Sequence, residues 1–315
     1  MHSIEKLNKI SNYLVLALIT GTVLFFYGGP GCNFPRSIQY AWNFGHIIFY
    51  CILSVLIFNH TRFKKKSYYF QICFVFIITL FFGAAVEIIQ SGFDRTMDVG
   101  DLFRNFTGSF LALLFLAPKR SELSLGKLKI YRIIIILLLI SEVVPGIRLL
   151  CDEINAEKEF PLLSGFESKV ELSRWEGNLT HKIDSDIKFS GNSSMMIKFK
   201  NCKFSGIFLK YFPENWSKYK TLAIKIYNPD QDFQKISCRI HDAQHIKNGQ
   251  PYIDRYNDTF TLARGWNKIK IDLYIVANAP LNRVMDMGCI RSLGIFANLP
   301  EENKVIYLDD VMLVK

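Results

Sequence analysis

Apolar residues fall into two different patterns along this 315-residue chain. Before residue 150 they gather into long runs at 12–27, 44–59, 68–90, 101–117 and 130–147, and the last includes the unbroken stretch Ile133 to Ile140. A helix needs about 20 apolar residues to cross a bilayer, so these runs predict five spans, the second a short one. Lys6 and Lys9 precede the first run, but no small-x-small cleavage site or lipoprotein box follows at Gly28 to Cys32, so it reads as an uncleaved span. From about 164 apolar and polar residues alternate, with turns at Ser190 to Asn192, Asn228 to Asp230, Lys247 to Gly249 and Arg264-Gly265. Candidate strands are 194–200, 204–212, 220–227, 234–242, 256–262, 267–273, 291–297 and 304–314. Eight short strands punctuated this way predict a β-sandwich of jelly-roll type. The expected fold is an N-terminal all-α multi-span membrane bundle joined to a C-terminal all-β sandwich. Its divisions are 1–118 (four spans), 119–150 (a cytoplasmic loop and the fifth span), 151–163 (a polar linker) and 164–315 (the sandwich).

Charge adds an orientation. The formal net charge is +10, yet residues 151–315 are close to neutral, with 23 Lys and Arg against 21 Asp and Glu. The basic excess therefore belongs to the helical half, where it implies topology and anionic-lipid contact and argues against nucleic-acid binding. Arg62 to Lys66 and Lys119 to Lys129 form basic loops, which the positive-inside rule puts in the cytoplasm with the N-terminus. The loops at 28–43 and 91–100, and everything after the fifth span, are then expected outside. The seven cysteines are scattered, with no CxxC, which fits neither a disulfide framework nor a zinc site. Cys202, Cys238 and Cys289 read as buried thiols in strands, with one disulfide among them left open.

Between the third and fourth runs lies a dense polar stretch, Glu87 to Gly108. Gly83, Glu87 and Gln90 share one helix face by their i, i+4, i+7 spacing, and Asp101, Asn105 and Gly108 repeat it on the next helix. Arg95 and Asp98 occupy the short loop between, and Asp98 suits a helix N-cap. Two readings stand. One is a polar clasp between membrane helices, with Gly83 and Gly108 admitting close approach. The other is a functional site, the default for ionisable groups at membrane depth. Topology would add His46 to the same outer face. Glu142, near the outer end of the fifth run, is expected to reach the headgroups or Arg148.

The series Glu87, Gln90, Arg95, Asp98, Asp101, Asn105 and Gly108, with the element Asn43-Phe44-Gly45-His46, resembles the VanZ-like family of small bacterial membrane proteins over roughly residues 10–118. The resemblance implies a cell-envelope role, through a family member linked to glycopeptide-antibiotic resistance, and names no reaction.

The second half resembles non-catalytic carbohydrate-binding modules and galactose-binding-like jelly rolls over about 164–315. The residues that carry this are Gly165 to Glu167, Ser190 to Ser194, Trp216 with Tyr219, Gly265 to Asn267, and Tyr307 to Leu313. That resemblance implies a structural calcium, for which Glu167 and Asp310 are the positional candidates, since Ca²⁺ takes oxygen ligands. The residues themselves point to Arg239, His241 and Asp242, followed by Tyr252 and Arg255. On a strand Arg239 and His241 share a face opposite Ile240 and Asp242. Such a set suits a sugar, with forked hydrogen bonds and a stacking surface, and it equally suits an exposed ladder of charge pairs. Trp266 is expected in the core.

No GxSxG elbow, HExxH, P-loop or strand-to-helix GxGxxG is present. The expectation is a membrane-anchored envelope protein, multi-pass in a bacterial cytoplasmic membrane. It displays a glycan-binding domain outside, leans away from catalysis, and has lipid and a glycan or cell-wall polymer as partners. No cofactor is required. The alternative is a membrane enzyme or carrier for a polyprenyl-linked, phosphate-bearing precursor, with His46 or Glu87 as acid/base and Arg95 as anion holder.

Overall fold

The computed structural model describes residues 2–27, 30, 34–91, 99–232, 234–298 and 304–315, with side chains described in all of these except 2–11, 25–27 and 90–91. The chain divides into two units, Met1–Arg148 and Leu149–Lys315.

The first unit is helical: α1 (His2–Tyr27), α2 (Arg36–Trp42), α3 (Phe44–Asn59), α4 (Thr61–Lys64), α5 (Tyr68–Ser91), α6 (Val99–Phe115) and the greater part of α7 (Leu125–Glu159). Among the described residues three helical stretches are long and apolar enough to cross a membrane: Arg36–Asn59, Tyr68–Ile89 and Leu125–Glu159. The apolar part of α1, Asn12–Leu24, is shorter. So is that of α6, a helix of 17 residues that opens with Asp101, Arg104 and Asn105. Segment 151–163, expected as a linker, is helical as far as Glu159.

Helices α3 and α6 approach backbone to backbone at Gly108 and Ile47. A Cβ on Gly108 would lie 2.1 Å from the Ile47 carbonyl oxygen, so only glycine permits this approach. Phe58, Tyr68, Val75, Ala112, Leu113 and Leu128 form the apolar core of this unit. Two hydrogen bonds join its helices beside that core, Thr79 to Ser109 at 2.7 Å and the Tyr68 hydroxyl to the Leu113 carbonyl at 3.1 Å.

The second unit is an antiparallel β-sandwich. Its strands are β1 (Leu162–Ser164), β2 (Trp175–Gly177), β3 (Thr180–Asp184), β4 (Ser194–Lys198), β5 (Phe204–Leu209), β6 (Thr221–Asn228), β7 (Gln234–Asp242), β8 (Tyr256–Leu262), β9 (Gly265–Asp272), β10 (Ile290–Asn298) and β11 (Val305–Val314). Short helices α8 (Ala243–Lys247) and α9 (Leu273–Ala277) follow β7 and β9. One sheet runs β3-β4-β11-β6-β9, with β1 also on β11, and the other runs β2-β5-β10-β7-β8. Period-two alternation puts Ile207, Leu209, Ile236, Cys238, Ile240, Leu293 and Ile295 of the second sheet against Ile197, Leu222, Ile224, Ile226, Ile269 and Leu308 of the first. Trp216 and Phe166 are fully buried in that core. All eight expected strands are present. The additional β1, β2 and β3 have three to five residues each, too few to carry a readable period.

Arg174, only 1% exposed, donates to both carboxylate oxygens of Asp152 at 2.9 and 2.8 Å and to the Leu163 carbonyl at 3.1 Å. A charge this deep is tolerated because its partner is equally buried. Cys238 is a buried strand thiol as expected, whereas Cys202 and Cys289 lie in loops, and all three are free.

Candidate functional site

Two groups of polar side chains are drawn together, one in each unit. In the helical unit His46 of α3 meets the first turns of α6. Its Nδ1 lies 2.9 Å from the Asn105 Oδ1 and its Nε2 3.4 Å from the Asp101 Oδ2. Arg104 donates to Asp101 at 2.6 Å and to Glu142 of α7 at 2.9 Å. Glu142 therefore pairs with Arg104, in place of the expected reach to headgroups or Arg148. Glu87 is buried on α5, and the Gly83 position four residues before it abuts the Asn105 amide, 2.9 Å from where a Cβ would stand. His46, Asp101 and Asn105 thus come together as the spacing predicted. Arg95 and Asp98 lie outside the described residues, as does the Gln90 side chain. Arg104, which the sequence reading passed over, is the cation between the acids.

The sandwich group lies on the outer face of the five-stranded sheet. On β7 the core residues Ile236, Cys238 and Ile240 alternate with Ser237, Arg239 and His241, which point the other way. The register carries this face across the sheet. Phe208 of β5 pairs with Gly294 of β10, Gly294 with Arg239, and Arg239 with Asn257 of β8. One row along, Gly206 pairs with Phe296 and Phe296 with Ser237. The glycines make room for the rings: a Cβ on Gly294 would stand 2.4 Å from the Phe208 ring, and one on Gly206 would stand 2.4 Å from Phe296. The result is a cleft of about 330 Å³ lined by Asn178, Phe204, Phe208, Phe296, Arg239 and Arg255.

The electrostatics of this cleft are one-sided. The Phe208 ring has the Arg239 guanidinium 5.9 Å from its centroid and the Lys210 ammonium at 5.8 Å. Arg255 stacks on Tyr252 at 5.0 Å. Neither Arg239 nor Arg255 makes a hydrogen bond or ion pair among the described residues, and the buried Nε of each lacks an acceptor. Burial and the neighbouring Arg255 hold the Arg239 guanidinium down to about 10, still charged at neutral pH. Burial lowers Arg255 as well. His241 is held down to about 3 by burial, then by His245, Arg239, Lys210 and Arg255, so its imidazole is neutral at neutral pH. Its ring packs on that of His245 at 4.8 Å.

Of the five expected ligand residues, Arg239 and Arg255 line the cleft, and Tyr252 backs Arg255. His241 continues the same face next to Ser292. Asp242 is committed elsewhere. It is fully buried, caps α8 through the His245 amide at 3.0 Å, and accepts two bonds from Arg283 at 2.6 and 2.8 Å. Arg283 also holds Asp254 at 2.6 Å. With its carboxylate saturated, Asp242 shapes the loops beside the cleft. The charge-ladder reading fails for Arg239 and Arg255, since no carboxylate faces either across the strands: Arg239 is level with Gly294 and Asn257.

Trp266 is not in the core. It is half-buried on the outer face of the other sheet, against Phe189 and Tyr227 at 5.3 Å each. The parity of β9 explains this, because Ile269 and Ile271 take the inward positions.

Glu167 and Asp310 converge on the same loop. Glu167 accepts from the Asn192 amide at 2.9 and 3.1 Å and from its Nδ2 at 3.0 Å, and these bonds hold its carboxyl below the usual range despite burial. Asp310 accepts from the Ser190 hydroxyl at 2.8 Å. No group of three or more His, Cys, Asp or Glu able to hold a metal occurs among the described residues. This donor set closes a loop and does not by itself fit a calcium cage.

No protein-family model matches this chain, and no curated protein matches it. Solved structures similar to its C-terminal part include carbohydrate-binding domains and agarases. One is a family 11 carbohydrate-binding module from Clostridium thermocellum, in complex with a beta-1,3-1,4-mixed-linked tetrasaccharide, at 16% identity over 49% of this chain and 94% of that one, TM-score 0.39. A second is a family 28 module specific for non-crystalline cellulose, at 13% identity over 50% of this chain and 93% of that one, TM-score 0.36. A third is a xylan-binding domain from Paenibacillus barcinonensis, at 17% identity over 49% of this chain and 98% of that one, TM-score 0.32.

Proposed function

We propose that this protein is a membrane-anchored glycan-binding protein of the bacterial cell envelope, with its N-terminus in the cytoplasm and its sandwich outside. The observation that carries the reading is the cleft on the five-stranded sheet. Aromatic rings of Phe204, Phe208 and Phe296 stand beside guanidinium groups that make no hydrogen bond or ion pair among the described residues. Sugars present apolar ring faces and hydroxyl edges, and a site for them needs stacking surfaces flanked by forked donors. Three helical stretches long and apolar enough to span support the anchor, and the basic loops supply its orientation. The VanZ resemblance rests on the motif residues and supports an envelope role for the helical half. The jelly-roll assignment and the structural calcium are carried forward on the same footing. Calcium is tested by the unfolding temperature of the full chain with calcium and with EDTA, and a rise of several degrees with calcium supports it.

Binding is tested by incubating the detergent-solubilised full chain on an array of plant, algal and bacterial wall glycans. Retention of at least one glycan, lost on Phe208→Ala, is the expected outcome, and no retention of any glycan overturns the reading. Orientation is tested on a cysteine-free background in intact cells. An impermeant thiol reagent is expected to label a cysteine placed at Gln250 and to miss one placed at Lys65.

A second reading draws on the helical cluster. His46 held between Asp101 and Asn105, with Arg104 alongside, supports a membrane enzyme or carrier acting on a phosphate-bearing lipid. Under that reading Asp101→Asn abolishes turnover in folded protein. Under the clasp reading it lowers the yield of folded protein.

A further inference from the structure

We propose that the cleft selects glycans carrying negative charge, as carboxylate or phosphate groups along the chain, over neutral polysaccharides. The inference rests on the glycan reading above and deepens it. It starts from two cations that have no counter-ion among the described residues.

Half-buried charges in folded proteins are normally paired, because removing a charge from water without a partner costs more than packing returns. The other buried or half-buried arginines of the sandwich obey this rule. Arg174 has Asp152, Arg283 has Asp242 and Asp254, and Arg291 has Glu214. Arg239 and Arg255 depart from it together, side by side, each with a buried Nε that finds no acceptor. The two repel one another, as the lowering of Arg239 by Arg255 records. Lys210 adds a third cation over the Phe208 ring, and Lys203 a fourth, 5.7 Å over that of Phe204. The carboxylate in this row, Glu176 of β2, is level with Phe208 on the far side from Arg239 and accepts from the Tyr211 hydroxyl at 3.2 Å.

A neutral sugar would fill the aromatic part of the cleft and leave this field unbalanced. An anionic one answers both parts. Its ring stacks on the phenylalanines, and its charged oxygens take the fork that a guanidinium offers to carboxylate or phosphate alike. The buried, neutral His241 beside the pair keeps an acceptor-capable ring there at neutral pH and adds no further charge to repel the arginines. The acceptors that arginine lacks come from the ligand, so the site is complete only when an anion is present.

The test is calorimetric titration of the detergent-solubilised full chain with four polymers: oligogalacturonate, a phosphomannan oligosaccharide, a mixed-linkage β-glucan oligosaccharide and xylo-oligosaccharide. Wild type is compared with Arg239→Gln, Arg255→Gln, Arg255→Lys and Phe208→Ala, each first checked for an unchanged unfolding midpoint. The expected result is binding of one or both anionic polymers at least tenfold tighter than either neutral one. That preference should be lost in both Gln variants, retained in part by Arg255→Lys, and weakened by added salt. The uronate and phosphate arms distinguish which anion is preferred. If neutral and anionic polymers bind alike, with Phe208→Ala damaging and the arginine variants harmless, the glycan reading stands and the anionic selection is overturned. If no polymer binds, both are overturned.

Discussion

In the helical unit Arg104 has a carboxylate on each side, Asp101 at 2.6 Å and Glu142 at 2.9 Å, and His46 sits between Asp101 and Asn105. In the sandwich Arg239 and Arg255 have none among the described residues. Both groups are built from the same residue types on regular elements, yet one is closed upon itself and the other is open. A cluster whose charges are answered internally has its binding capacity already spent on holding helices together, which low dielectric makes worthwhile. A cleft whose donors are unanswered keeps that capacity for a ligand. On the proposed reading, partner count, more than residue type, separates a clasp from a binding site in this protein.

The comparison predicts that partnered charges govern stability and unpartnered ones govern binding. The largest effect is expected at Arg174. Arg174→Met leaves Asp152 buried and uncompensated, and should cost about 3–5 kcal/mol of sandwich stability by denaturant unfolding. A loss below about 1 kcal/mol would break the first half of the comparison.

Next in size is Arg255→Gln, which should leave the unfolding midpoint in place and weaken glycan affinity by about 1–3 kcal/mol, the scale of charged hydrogen bonds. Loss of stability without loss of binding would return Arg255 to a structural role. In the helical unit Asp101→Asn should lower stability by about 1–2 kcal/mol, the range of polar contacts between membrane helices. Its effect should be non-additive with Arg104→Gln in a double-mutant cycle, since both remove the same pair.

A further effect is a pH dependence. In the folded chain His241 takes up its proton only near pH 3, whereas in the unfolded chain it does so near 6.5. The unfolded state therefore binds more protons in that window, and sandwich stability should fall as pH drops from 6.5 toward 3. His241→Gln should flatten the upper part of this slope. Asp242 and Asp254, both held low by Arg283, steepen the loss below about 4 in either protein. An unchanged slope between pH 6.5 and 4.5 in the variant would show that His241 is not held neutral.

Much of this was legible in the chain. Period-two alternation found eight strands, and i, i+4 spacing brought Asp101 and Asn105 to one face. Arg104 and Glu142 were not joined in advance, though a signal existed: opposite charges stranded in two apolar runs each require a partner in lipid, and these two answer each other. The cleft was half legible. Arg239 and Arg255 are charged and stand out, whereas Phe204, Phe208 and Phe296 look like core residues until strand parity turns them outward. Their sign in the sequence is that Phe208 shares neither parity nor face with Ile207 and Leu209, and that Gly206 and Gly294 stand inside strands, where a close neighbour is the usual reason for glycine. Trp266 was misassigned for the same reason of parity, and Asp242 because its partner Arg283 lies 41 residues away.

The most direct test of the central claim is hydrogen–deuterium exchange of the full chain with and without saturating oligogalacturonate. The account predicts added protection in β5, in β7 and through residues 252–257, with α3 and α6 unchanged. Protection confined to α3 and α6, or to the opposite sheet around Trp266, would contradict it.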